Sequence, residues 1–131
     1  MTQVAITHTQ WRPICQRSDL VADSGVCALL GDLSVEIRSV ALFFIPDREP
    51  QLYAVDNWDP IAKAGVISRG LVAEIDGELT VASPLYKHHF RLSDGVCLED
   101  ETVKLTTYPV AFDGDTVRIA VASLPTADTT V

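Results

Sequence analysis

Two stretches decide how this chain is read: Leu52-Tyr53-Ala54-Val55-Asp56-Asn57-Trp58-Asp59-Pro60, and Val81-Ala82-Ser83-Pro84-Leu85-Tyr86-Lys87-His88-His89-Phe90-Arg91-Leu92 with Ser93-Asp94-Gly95 behind it. Each runs from β-favouring residues into a proline, which fixes φ and removes a backbone donor. Between them, residues 71–75 and 79–82 flank Asp76-Gly77. A two-residue Asp-Gly loop accepts positive φ and matches the twist of a β-hairpin. Ser93-Asp94-Gly95 marks a further turn.

Working outward, residues 11–15 and 26–30 read as strands, and residues 34–45 form a longer β-branched and aromatic run that stops at Pro46. Pro46-Asp47-Arg48-Glu49-Pro50 is a turn, and residues 52–55 are the next strand. Asp113-Gly114 repeats the hairpin signal between Val110-Ala111-Phe112 and residues 117–121. In that last run Val117, Ile119 and Val121 alternate with Arg118 and Ala120, so one face is expected to be buried. Many short strands at close spacing predict an all-β sandwich or barrel. The best helical candidate is short, within residues 59–66, where Pro60 suits a first turn. There is no internal repeat and no low-complexity tract.

With 131 residues, 47% hydrophobic and 21% charged, the chain predicts a single domain, residues 1–131, with a core over about 11–121 and loose ends at 1–9 and 125–131. No apolar run reaches the roughly 20 residues that cross a bilayer, and the start lacks a basic segment followed by an apolar one. A cytoplasmic location is therefore expected. A net charge of -8 repels phosphate backbones and anionic lipid heads, arguing against nucleic-acid and membrane binding. It serves solubility alone, or it suits a partner with a basic docking surface; both readings stand at this point. Cys15, Cys27 and Cys97 are odd in number and far apart, which speaks against a disulfide framework.

Catalytic motifs are missing: there is no phosphate-cradling G-x-x-x-x-G-K-[ST], no G-x-G-x-x-G and no Gly-x-Ser-x-Gly elbow. His8 falls in the loose N-terminus. His88 and His89 are adjacent, and neighbours on a strand point to opposite faces. One of them with Cys97 is conceivable as a weak metal site, and solvated or core histidines are the plainer reading.

The two opening stretches resemble a Rieske domain: a strand, an Asn, a loop reading Cys-x-His, a hairpin, a second loop reading Cys-Pro-x-His, and a strand with Phe. Asn57, Pro84, Phe90 and Gly95 match the scaffold, while Asp59 and Ile61 stand at the Cys-x-His positions and Ser83 and Tyr86 at the second pair. A Rieske cluster needs two thiolates on one iron and two imidazoles on the other. Ile61 offers no donor, and the other three offer hard oxygens where such clusters select thiolate. The departures resemble one branch, the small subunit of NAD(P)H-dependent nitrite reductase. They are Ser68-Arg69-Gly70, Val81-Ala82-Ser83-Pro84-Leu85-Tyr86-Lys87, Phe90-Arg91-Leu92 and Gly95-Val96-Cys97-Leu98-Glu99-Asp100.

The resemblance implies a Rieske-like antiparallel β-sandwich with a small cluster-binding-like subdomain. It implies a non-catalytic subunit without cofactor or catalytic residues of its own. The partner would be a large subunit that holds FAD, an iron–sulfur centre and sirohaem and reduces nitrite to ammonium. It also implies that Trp58, Asp59, Leu85, Tyr86 and Lys87 share one tip of the fold; that tip is expected either to form the interface with that subunit or to have Trp58 or Tyr86 folded inward to fill the space of a cluster. The alternatives are a stand-alone β-domain that binds or regulates another protein and, against the ligand losses, a Rieske-type electron carrier.

Overall fold

The computed structural model of the chain describes residues 8–32 and 35–123, with strands throughout. In chain order these are β1 (His8–Gln16), β2 (Ser24–Asp32), β3 (Val35–Phe44), β4 (Leu52–Asp56), β5 (Trp58–Asp59) and β6 (Ala64–Gly65). They continue as β7 (Leu71–Ile75), β8 (Glu78–Ala82), β9 (His89–Arg91), β10 (Thr107–Tyr108), β11 (Val110–Asp113) and β12 (Thr116–Ser123). The helices of the described residues are two 3-10 turns, Arg17–Asp19 and Ile67–Arg69.

Alternation along β3 builds the centre. Successive strand side chains point to opposite faces, and both faces of β3 are covered. Ala41 and Phe43 pack with Val55, Val81, Phe90 and Leu105 in one cluster; Val40 and Leu42 pack with Leu30, Ala54 and Ile119 in another. The sheet β10-β4-β3-β2 is thus a middle layer. On one side lies the sheet β1-β12-β11, which unites the two ends of the chain; on the other lies the meander β7-β8-β9. Every pair of named strands is antiparallel. Phe43 and Phe90 are fully buried, each contributing about 1.5–3 kcal/mol of hydrophobic stabilisation.

The antiparallel β-sandwich with a smaller subdomain holds as expected, with three corrections of detail. The first strand starts at His8, three residues early, because it pairs along nearly the whole of β12 as far as Ser123. The last hairpin turns at Gly114-Asp115 rather than Asp113-Gly114, since Asp113 pairs with Thr116.

The third concerns residues 59–66, which form no helix. The Lys63 N–H donates to the Asp59 carbonyl at 2.7 Å, one helical turn, but Lys63 then adopts φ +58° and Ala64 returns to pair with Asp59. By contrast, Asp76 and Gly77 take φ +52° and +83° in a two-residue hairpin loop, as their sequence predicts. Residues 1–7 and 124–131, and the side chain of His8, lie outside the described residues; the expected loose ends fall there except for residues 8 and 9, which β1 takes up.

One close approach sets the base of the functional loops. A Cβ at Gly25 would fall 2.6 Å from the Phe43 ring and 2.7 Å from the Ser68 carbonyl oxygen. Only glycine lets β2 lie against the turn Ile67–Arg69 that closes the first loop.

Candidate functional site

The two loops that the sequence singles out meet at one tip. The first runs Asp59-Pro60-Ile61-Ala62-Lys63 and the second Ser83-Pro84-Leu85-Tyr86-Lys87. They are built alike. In each, the lysine N–H donates back to the carbonyl four residues earlier, Lys63 to Asp59 at 2.7 Å and Lys87 to Ser83 at 3.0 Å. Each lysine takes a left-handed φ, +58° and +63°. An oxygen-bearing residue, a proline, a branched aliphatic and a final lysine recur at matching places. This short repeat corrects the expectation that the chain holds none.

Asp59 is fully buried. Its carboxylate accepts from the backbone N–H of Ile61 at 2.9 Å and of Ala62 at 3.1 Å, which shapes its own loop. It accepts from the Ser83 hydroxyl at 2.5 Å, and from His88 Nε2 at 3.1 and 3.2 Å. A carboxylate only accepts, so His88 carries its proton on Nε2. Burial alone pushes the Asp59 carboxyl up. The hydrogen bonds from Ser83, the Ala62 N–H, His88 and the Ile61 N–H outweigh it and hold the group below the usual carboxylate value. Ser83 and His88 are also buried, at 1% and 8% exposure. The His88 ring stands edge-on to Phe90 at 5.1 Å and lies under Tyr86 at 6.3 Å. Asp59 thus ties the two loops together.

Asn57 ties the first loop to the scaffold. Its amide donates to Ser39 Oγ and to the Gly65 carbonyl, both at 3.1 Å, and its Oδ1 accepts from the Ser68 N–H at 2.6 Å. Gly95, another scaffold match, takes φ +81°, and a Cβ there would run into the Leu105 carbonyl.

The site has the three residue types of a nucleophilic triad but not the arrangement. Both Ser83 and His88 bond to Asp59, so no imidazole stands between carboxylate and hydroxyl to take the hydroxyl proton. A Rieske cluster does not fit either. Asp59 spends its oxygens on four donors, Ser83 donates to it, Ile61 has no donor atom and Tyr86 lies outside. The three free cysteines are elsewhere: Cys15 on β1, Cys27 on β2, and Cys97 after β9, where burial pushes the thiol up. His89 and Cys97 do converge, on Glu99, at 2.8 Å from His89 Nδ1 and 3.6 Å from Cys97 Sγ. Among the described residues, no group of three or more His, Cys, Asp or Glu is placed to hold a metal.

Of the five expected tip residues, the structure exposes Trp58 (54%), Leu85 (53%), Tyr86 (66%) and Lys87. Asp59 is the correction: it faces inward with no exposed surface, because its charge requires the four donors beneath the loops. Ile61 is exposed as well, and so is Leu71, which pairs with Ala82 beside the second loop. His88 was missed as a member of the site; its signal was a histidine closing a loop opposite a buried aspartate. No helix among the described residues is long and apolar enough to cross a membrane.

Comparisons with known proteins agree with this geometry. The family model described as "Rieske-like [2Fe-2S] domain" matches residues 10–120. The nitrite reductase (NADH) small subunit of Escherichia coli K12 is 45% identical over 111 residues, 85% of this chain and 97% of its own length. The NMR structure of the E. coli protein NirD superposes with a TM-score of 0.76 at 43% identity, covering 88% of this chain and all of that one. The nitrite reductase [NAD(P)H] large subunit of Klebsiella oxytoca is 35% identical over 115 residues, covering 88% of this chain but 11% of that protein. By the family model and by these relatives, the chain belongs to the Rieske-like [2Fe-2S] domain family and, within it, to the nitrite reductase (NADH) small subunits.

Proposed function

We propose that this chain is the non-catalytic small subunit of a cytoplasmic NAD(P)H-dependent nitrite reductase, docked by its two-loop tip onto the large subunit. That large subunit would hold FAD, an iron–sulfur centre and sirohaem and carry out the reduction of nitrite to ammonium. One observation carries the docking reading: Ser83 and His88 turn inward onto Asp59, while Trp58, Ile61, Leu85 and Tyr86 are left outside. Exposed aromatic and aliphatic side chains gathered on rigid loops mark an interaction surface. The Klebsiella large subunit supports the choice of partner, since it contains a related stretch within its own chain. Three free thiols suit a reducing compartment.

Co-purification tests the reading. The tagged chain should recover a large flavin and sirohaem protein from its native source, and nitrite reduction should follow the pair. Recovery of an intact, fully active large protein from cells lacking this chain would contradict it.

A further inference from the structure

The net charge of -8 suits solubility or a basic partner, but the charge is not spread evenly. Asp59 is the one acidic residue in segments 57–71 and 83–88, and it is buried. The same segments carry Lys63, Arg69 and Lys87, all exposed.

Those three cations differ from the rest. Arg48, Arg91 and Arg118 are ion-paired with Glu74, with Glu78 and Asp94, and with Asp113. Arg17 lies over the Phe112 ring at 3.6 Å, Arg12 donates to the Gly31 carbonyl, Arg38 donates to Tyr108, and Lys104 lies near Asp94. Among the described residues, the structure gives no side-chain hydrogen bond or ion pair to Lys63, Arg69 or Lys87. A strongly acidic chain thus leaves its unpaired cations around its exposed apolar tip. Two of them sit at the matching last position of the twin loops, at φ values that glycine or asparagine adopts more easily than lysine.

We propose that the surface of the large subunit receiving this tip is acidic, and that Lys63, Lys87 and Arg69 are its cationic contacts around the apolar centre of Trp58, Leu85 and Tyr86. The inference rests on the docking reading above and adds the partner's chemistry. Charged groups at the rim of an interface steer encounter and choose among partners, and their effect is screened by salt.

The test measures affinity between this chain and the isolated large subunit. It compares the wild type with Lys63→Asn/Lys87→Asn and Lys63→Asp/Lys87→Asp, since both new residues tolerate left-handed φ. Thermal unfolding of each variant checks that the fold is kept. The wild type should bind about tenfold more weakly as salt rises from about 0.05 to 0.5 M. The Asn pair should lose most of that dependence, and the Asp pair should bind at least tenfold more weakly at low salt. Salt-independent binding, or tighter binding by the Asp pair, overturns the acidic partner. If Trp58→Ala still weakens binding in that case, the docking reading survives alone; if it does not, both fall. Sedimentation of the chain alone gives the remaining outcome: self-association lost in the Asp pair would assign the tip to a second copy and overturn the proposal.

Discussion

The inner and outer sides of the tip are built from neighbouring residues with opposite chemistry. Inside, Asp59, Ser83 and His88 form a buried polar knot; outside, Trp58, Leu85 and Tyr86 stand in solvent one or two residues away. In a Rieske domain a cluster joins two such loops. Here a carboxylate joins them, held in its own loop by the Ile61 and Ala62 N–H groups and bonded across to Ser83 and His88. The difference teaches that a buried carboxylate can hold two such loops together by hydrogen bonds. A buried charge with full hydrogen bonding is costly to break, whereas an exposed aromatic adds little to the fold. Mutations on the two sides should therefore separate stability from binding.

The largest effect is expected inside. Asp59→Ala strands Ser83, His88 and two backbone N–H groups, and should cost about 3–5 kcal/mol in denaturant unfolding. Outside, Trp58→Ala and Tyr86→Ala should each leave folding stability within about 0.5 kcal/mol. Each should weaken binding to the large subunit by about 2 kcal/mol, roughly thirtyfold. A large loss of melting temperature for either would move that side chain to the inner set and erase the contrast.

Ser83→Ala is a finer probe. At neutral pH it should cost about 1–3 kcal/mol by removing one donor to Asp59. The folded Asp59 carboxyl lies below its ordinary value of 3.8, so its contribution is complete above that value and is lost as pH falls through the lower folded one. The stability gap between wild type and Ser83→Ala should accordingly narrow below about pH 4. A gap that stays constant through the acid range would mean that Ser83 acts by packing alone. The smallest effect is expected for Leu85→Ala, with folding within about 0.5 kcal/mol and binding weakened less than by either aromatic truncation.

Much of this was legible in the sequence, for identifiable reasons. The Asp76-Gly77 hairpin and the long β3 run follow from local chemistry, a positive-φ turn and a β-branched series, and both formed as read. The ligand positions came from the resemblance to a Rieske domain that Asn57, Pro84, Phe90 and Gly95 carry. What local chemistry could not show was direction. Pro60-Ile61-Ala62-Lys63 has a helix-like start, and only the pairing of Ala64 with Asp59 across the loop stops it after one turn. Asp59 and Tyr86 both stand at former ligand positions, yet one is buried and the other is largely exposed. His88, read as one of two strand histidines, gains its role from a residue 29 positions away. Such long-range bonds leave no periodic signature, although the twin Asp59-Pro60-Ile61 and Ser83-Pro84-Leu85 runs were available as a hint.

Amide hydrogen exchange on this chain, alone and with the large subunit, tests the central claim most directly, because it reads the interface without altering it. The account predicts that binding slows exchange in segments 58–70 and 85–88, with little change in β1, β11 and β12. Protection confined to that terminal sheet, with the two loops exchanging as in the free chain, would contradict it.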